Sequence, residues 1–121
     1  MLIKNLKDCP EFTAGDNSLL REIFHPDKTA LDIAYSLAHA TVKPGRKTIP
    51  HTLKAAEVYY IIQGKALMHI GSGSAELIAP CAVYIPPDAT QYIENTGPSD
   101  LIFLCIVEPP WRPELEKILK S

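Results

Sequence analysis

The chain has 121 residues, with 12 Lys or Arg and 14 Asp or Glu, and its formal net charge at pH 7 is −2. A chain of this length can bury the core of one domain, so we interpret residues 1–121 as a single domain. The basic residues are scattered and no apolar run reaches the roughly 20 residues of a membrane-spanning helix, so neither nucleic acid nor a membrane is an expected partner. Three widely spaced cysteines without a C-x-x-C pair, and no secretory signal, predict a cytoplasmic protein.

The N-terminal third alternates short apolar segments with turn residues. Residues 1–17 predict a short strand, a loop and a turn. Residues 18–24 predict a strand that ends at His25, because Pro26 restricts the residue before it, and His25 is expected at the surface. Residues 31–42 are apolar on both alternating faces, which predicts a strand covered on both sides.

The remaining segments also predict strands, bounded by Gly and Pro. They are residues 57–63, 65–70, 75–79, 82–85, 91–95 and 101–107. The last of these is continuously apolar, like residues 31–42. Helical spacing occurs only in residues 113–120, where Pro113 suits the first turn. The pattern predicts an all-β sandwich or barrel with a short C-terminal helical tail.

Two stretches concentrate the side chains that can carry chemistry. Residues 45–64, GRKTIPHTLKAAEVYYIIQG, hold His51 and Glu57 between two turn-forming glycines. Residues 80–95, PCAVYIPPDATQYIEN, follow about thirty residues later and hold Gln91. Imidazole and carboxylate groups are ligands that suit divalent transition metals, and an amide oxygen is a weaker neutral donor.

These stretches resemble the paired motifs of the cupin superfamily, G-x5-H-x-H-x3,4-E-x6-G and G-x5-P-x-G-x2-H-x3-N. The spacing matches in both, but Leu53 and Gln91 stand where the family has histidines, and Asp88 stands for a glycine. The resemblance is to small single-domain cupins of the cupin 2 conserved barrel type, often named mannose-6-phosphate isomerase-like. It implies a double-stranded β-helix, or jelly-roll barrel.

The resemblance also implies a metal site. Carried over residue by residue, it gives His51, Glu57 and Gln91 as ligands of a divalent transition metal such as Mn, Fe, Ni or Zn. Glu57 has the alternative of a salt bridge to Lys54 or Arg46. Gln91 has the alternative of a substrate-binding amide.

Three further residues are candidates for contact with a ligand. Tyr59 shares its parity in the strand with Glu57, and Leu53 lies two residues from His51 and therefore on the same face if the segment is extended. His39 lies in the strand that is apolar on both sides. Its orientation cannot be derived from the pattern, and a hydrogen-bonded structural histidine is the alternative to a ligand contact.

Two functions follow as expectations. One is a metal-dependent enzyme, an isomerase or epimerase or a dioxygenase, that acts on a small polar metabolite such as a sugar or organic acid. The other is a non-catalytic barrel that binds a small molecule and keeps a degenerate metal site. The fold alone does not choose between them. A homodimer is also expected, because a sandwich of this size has one interior while residues 31–42 and 101–107 are apolar on both faces.

Overall fold

The computed structural model of the protein describes residues 1–119 and consists almost entirely of antiparallel β-strands. Eleven strands follow one another in that range: β1 (Glu11–Thr13), β2 (Leu19–Phe24), β3 (Ser36–Val42), β4 (His51–Leu53), β5 (Ala56–Gln63), β6 (Lys65–Ile70), β7 (Gly73–Ile78), β8 (Cys81–Ile85), β9 (Gln91–Asn95), β10 (Leu101–Glu108) and β11 (Glu116–Ile118). Two short 3-10 turns, Leu6–Asp8 and Pro113–Leu115, are the helical elements of the same residues. None of the helical elements in residues 1–119 could cross a membrane.

The strands form two sheets whose neighbours are not consecutive in the sequence. One sheet has six strands in the order β1-β2-β3-β10-β5-β8, and the other has five in the order β11-β4-β9-β6-β7. Side chains from the inner faces of both sheets meet in one interior. This arrangement confirms the predicted all-β jelly roll.

The interior follows the period-two alternation of strands, which sends every second side chain inward. Along β5 the buried residues are Glu57, Tyr59 and Ile61, and the residues between them are less buried. The largest fully buried side chains include Ile61 and Phe103, which belong to one apolar cluster with Leu101. Burying a side chain of this size contributes about 1.5–3 kcal/mol.

The strand predicted over residues 31–42 begins later than expected. β3 starts at Ser36, and its seven residues pair with Leu101–Val107 of β10. Residues 31–35 have no such partner, so their apolar alternation does not make them a strand. Residues 101–107 were expected to be covered on both faces. In the single chain β10 is buried on one face only, because Ile106 on its other face is exposed.

The C-terminal tail does not form the predicted helix. Within residues 113–119 a 3-10 turn is followed by β11, in which Glu116 pairs with Leu53 and Ile118 pairs with His51. The physical reason is the free edge of β4, whose backbone groups gain partners when the tail adds a strand. Lys120, the last residue of the predicted helix, lies outside the described residues.

The tail also explains why His25 is buried rather than at the surface. Its Nε2 lies 2.6 Å from the backbone oxygen of Trp111, and its Nδ1 accepts the Asp27 amide at 3.1 Å. The proton therefore sits on Nε2, which donates to the Trp111 carbonyl. This contact joins residues 86 positions apart, so the local pattern around Pro26 could not predict it.

Candidate functional site

A cavity of about 200 Å³ lies at one end of the interior, with walls from both sheets. β4 contributes His51 and Leu53, β5 contributes Glu57 and Tyr59, and the tail strand β11 contributes Glu116. Apolar side chains line much of the remaining wall, and the polar side chains converge on one space. Such a cavity is the usual form of a small-molecule site.

His51 is held so that one ring nitrogen faces the cavity. Its side chain is 4% exposed, and Nδ1 lies 2.8 Å from the backbone oxygen of Ile49. Because a carbonyl can only accept, Nδ1 donates to it, and in this tautomer the lone pair lies on Nε2. The nearest acidic oxygen to Nε2 is Oδ2 of Asp16, at 3.9 Å. That separation is too long for a hydrogen bond.

Asp16 lies in the turn between β1 and β2, and that turn fixes its carboxylate. Oδ1 accepts the backbone amide of Ser18 at 3.0 Å and its hydroxyl at 2.7 Å. The other oxygen, Oδ2, is directed towards His51. The carboxylate thus has one oxygen used by the turn and one facing the cavity.

Glu57 is held by a chain of hydrogen bonds that starts at Tyr59. The Tyr59 hydroxyl donates to Oε1 of Gln91 at 3.1 Å, and Nε2 of Gln91 donates to Oε1 of Glu57 at 3.0 Å. Burial raises the pKa of Tyr59 well above its ordinary value, so the phenol remains a donor at neutral pH. The donating phenol fixes the amide orientation, and the amide in turn fixes the carboxylate.

Burial also changes the protonation of Glu57, which is 6% exposed. Its pKa is raised to about 8, chiefly by desolvation and further by the carboxylates of Asp16 and Glu116, against the lowering effect of the Gln91 hydrogen bond. The alternative weighed for Glu57, a salt bridge to Lys54 or Arg46, is not among the ion pairs of residues 1–119. The buried Glu57 carboxyl is therefore stabilised by a hydrogen bond from an amide and not by an ion pair with Lys54 or Arg46.

Gln91, predicted as a metal ligand or a substrate-binding amide, lies beside the cavity rather than in its wall. It is 1% exposed, and it is not one of the residues that line the cavity. It lies opposite His51 in the pairing of β4 with β9, and its amide nitrogen is directed at Glu57. Gln91 therefore holds the Glu57 carboxyl through a hydrogen bond and does not itself line the cavity.

The three candidate ligand-contact residues divide between the cavity and the outer surface. Tyr59 and Leu53 line the cavity, and Leu53 packs in a small apolar cluster with Val107 and Trp111. His39 does not line it, because the inward side chains of β3 are those of even-numbered residues such as Ala38. His39 lies opposite Leu104 and Arg21 on the outer face, where burial and Arg21 lower its pKa.

The sequence analysis missed three residues of this site. Asp16, Trp111 and Glu116 all line the cavity, and the indole nitrogen of Trp111 donates to Oε2 of Glu116 at 2.9 Å. A β-carbon on Gly15 would come 3.0 Å from Oε1 of Glu116, so glycine lets the tail approach the Asp16 turn. An Asp two positions before Ser18 does signal a side-chain-capped turn. Nothing in the sequence signals that this turn meets the tail.

At the predicted ligand positions, two atoms in the cavity have no hydrogen-bond partner among residues 1–119: Nε2 of His51 and Oε2 of Glu57. Every fully buried side-chain nitrogen or oxygen of those residues does have one, so these two atoms face open space. An imidazole and a carboxylate fit a divalent transition metal. No group of three His, Cys, Asp or Glu side chains in the described part of the chain is arranged to hold an ion. The protein thus offers two donors, and the other coordination positions would belong to water or ligand.

Comparison with known proteins identifies the family of this barrel. The family model described as "Cupin domain" matches residues 38–107, more than half of the chain. The chain belongs to the cupin family. This cupin is 37% identical over 110 residues to an uncharacterised protein of Methanocaldococcus jannaschii, a match that covers 90% of the chain and 87% of that protein. The predicted resemblance to small cupins of the cupin 2 barrel type is confirmed.

Solved structures share the fold of this cupin at low sequence identity. A predicted oxalate decarboxylase of Thermotoga maritima has a TM-score of 0.79 and 18% identity, over 89% of this chain and 99% of that one. The polyketide cyclase RemF of Streptomyces resistomycificus has a TM-score of 0.80 and 17% identity, over 100% and 87%. A cupin 2 conserved barrel protein of Salinispora arenicola has a TM-score of 0.76 and 16% identity, over 95% and 92%. At these identities the likeness shows the fold.

Proposed function

We propose that this cupin binds a small polar metabolite beside a divalent transition metal held by His51 and Glu57. The observation that carries the proposal is that Nε2 of His51 and Oε2 of Glu57 face the same cavity without a protein partner. A metal bound there would act as a Lewis acid on an oxygen of the ligand. The names of two solved neighbours, an oxalate decarboxylase and a polyketide cyclase, describe reactions of small molecules and support the same class of ligand here.

The supporting contacts resemble those that orient metal ligands in other proteins. The Ile49 carbonyl fixes the tautomer and rotation of His51, and Gln91 fixes the carboxylate of Glu57. Because the pKa of Glu57 is raised to about 8, the free carboxyl keeps a proton at neutral pH. A cation must displace that proton, so metal affinity is expected to rise with pH.

A specific observation favours the second candidate, a barrel that binds a small molecule without a metal. Leu53 stands where the family motif has a histidine, and its apolar side chain cannot bind a metal. The amide nitrogen of Gln91 donates to Glu57. Two donors alone give a weak metal site. In this alternative the same cavity binds the metabolite, and His51 and Glu57 contact it directly.

Elemental analysis decides between the two candidates. The protein is purified without chelators or a nickel column, then equilibrated with Mn, Fe, Ni or Zn and dialysed. We expect metal in the wild type and its loss in His51→Ala. His69→Ala is the matched control, because His69 pairs with Glu94 and does not line the cavity. Near-zero metal in the wild type and in both variants would replace the metal-binding candidate with the metal-free barrel.

A further inference from the structure

We propose that the cavity binds its small molecule as a cation, an amine whose ammonium group lies between Asp16 and His51 and whose apolar part contacts the aromatic wall. This inference rests on the small-molecule part of the proposed function and concerns the metal-free cavity, because a metal on Nε2 of His51 would use the lone pair that the ammonium group needs. It assigns Asp16 and Glu116, which lie outside the two sequence motifs, to recognition of the ligand.

The first argument is the pattern of hydrogen-bond groups. Nε2 of His51 and Oδ2 of Asp16 are 3.9 Å apart, and both are acceptors, so neither can satisfy the other. A nitrogen about 2.9 Å from each can lie between them and donate to both. An ammonium group, with three donors and no acceptor, has the required chemistry.

The charged and aromatic donors on the cavity walls already have partners. The Tyr59 hydroxyl donates to Gln91, the Trp111 indole donates to Glu116, and the Lys28 ammonium pairs with Glu22 at 2.7 Å. Among the described lining residues, the Ser36 hydroxyl, the Cys105 thiol and the protonated carboxyl of Glu57 remain as neutral donors. A carboxylate or phosphate ligand would therefore find no unpaired cation among those residues.

The second argument is the balance of charge. The carboxylates of Asp16 and Glu116 line one space beside the protonated carboxyl of Glu57, while the single lysine among the described lining residues is neutralised by Glu22. The side chains of Asp16 and His51 are 13% and 4% exposed, so water screens this region poorly. Like charges in such a space repel one another, and a cation relieves that repulsion. An anionic ligand would add to it.

The third argument is the wall that faces these groups. Tyr59 and Phe103 pack with their ring centroids 4.5 Å apart and their planes tilted by 36°, and Trp111 and Phe12 also line the cavity. Aromatic faces attract ammonium groups and bury apolar carbon. The expected ligand is therefore an amine that carries an apolar body, small enough for a cavity of about 200 Å³.

Trp111 makes the inference directly testable. It is the one tryptophan of the chain and lines the cavity, so its fluorescence reports on occupancy. Benzylamine, benzyl alcohol and benzoate share one ring and differ in charge, and each is titrated into metal-free and metal-loaded protein. In the metal-free protein we expect benzylamine to bind at least about tenfold more tightly than benzoate, with the alcohol between them.

The charge variant is Asp16→Asn, which keeps an oxygen for Ser18 and removes the negative charge. We expect it to weaken benzylamine binding roughly tenfold. Asp100→Asn is the matched control, because Asp100 pairs with Lys43 outside the cavity, and its affinity should equal that of the wild type. A thermal melt of both variants establishes that they are folded.

Three outcomes overturn the inference: benzoate binds as tightly as benzylamine, Asp16→Asn leaves benzylamine affinity unchanged, or none of the three probes binds. The failures are separable from that of the proposed function. Retained metal binding with preferred benzoate would leave a small-molecule metal site and remove only the cationic ligand. The loss of both metal binding and probe binding would remove the function itself.

Discussion

The two ends of the barrel interior are built on the same strands and contain opposite chemistry. At the closed end β5 and β9 contribute Ile61 and Ile93, both fully buried in apolar surroundings. A few residues along the same strands, Glu57 and Gln91 form the polar network beside the cavity. Even the polar residue of the closed end, Asn95, donates its side-chain amide to the carbonyls of Val42 and Ser99. At the open end, by contrast, Nε2 of His51 and Oε2 of Glu57 have no hydrogen-bond partner among residues 1–119.

The difference separates what stabilises this protein from what can bind a ligand. Apolar burial at the closed end contributes to the free energy of folding without any polar cost. Burying Glu57 opposes folding whenever the carboxyl is charged, because desolvation disfavours the ionised form. Unfavourable burial of an ionisable group is typical of functional sites, and favourable contacts elsewhere in the fold offset it. The two ends should therefore respond differently to mutation, pH and metal.

The largest expected effect is at the closed end. Ile61→Ala should lower the free energy of unfolding by about 2–5 kcal/mol, since it removes methylene groups from a fully buried site and leaves a cavity. Metal and probe binding should not change if the variant is folded. Urea denaturation measures the loss. The control is Ile78→Ala, the same substitution at an exposed site, where the expected change is within about 0.5 kcal/mol. Equal losses in the two variants would contradict the assignment of the core.

The next effect is a pH dependence that originates at the open end. The pKa of Glu57 is raised from 4.5 to about 8, so between these values the folded protein binds a proton that the unfolded chain does not. The free energy of unfolding therefore falls as pH rises through this window, by at most about 1.4 kcal/mol per pH unit, and levels off above it.

Urea denaturation of metal-free protein at pH 5, 6.5 and 8 measures this slope. Glu57→Gln removes the titrating group and keeps the side-chain size, so its slope should be much smaller than that of the wild type. Added metal should reverse the trend, because it binds the deprotonated carboxylate. A slope that is identical in both proteins would show that another group is responsible.

The third prediction concerns a new imidazole at position 53, in the apolar wall of the cavity. Leu53→His should cost about 1.5–3 kcal/mol of burial in the metal-free protein. The new imidazole should raise the affinity for Zn, Ni or Cu, and added metal should raise the melting temperature more than in the wild type. Melts with and without metal, beside a competition titration, measure both. Leu67→His is a control, because Leu67 does not line the cavity. Unchanged affinity in a folded Leu53→His variant would mean that this side chain does not reach the metal.

The smallest effect on the stability of one chain should come from the outer face of the six-stranded sheet, where the homodimer stays a prediction. Large apolar side chains are exposed there on three neighbouring strands: Tyr60, Ile62, Tyr84 and Ile106. Tyr84 is 60% exposed, so Tyr84→Glu should convert a dimer to a monomer with little change in the unfolding free energy of each chain. Light scattering at micromolar concentration measures the mass. A monomeric wild type would contradict the dimer.

The sequence by itself determined the fold class and part of the site. Alternation and glycine turns predicted most strands, and the family spacing singled out His51 and Glu57, because both signals are carried by residues close together in the chain. It also placed Tyr59 on the face of Glu57 by parity.

The tertiary structure alone decided which distant residues complete the cavity. Asp16 meets His51 across 35 positions, and Glu116 arrives because the tail pairs with the open edge of β4. The amide of Gln91 is directed at Glu57 because Tyr59, 32 positions away, sets its orientation. His39 faced outward because β10 fixed the register of β3. Pairing and register depend on contacts between segments far apart in sequence, and a local pattern contains no record of them.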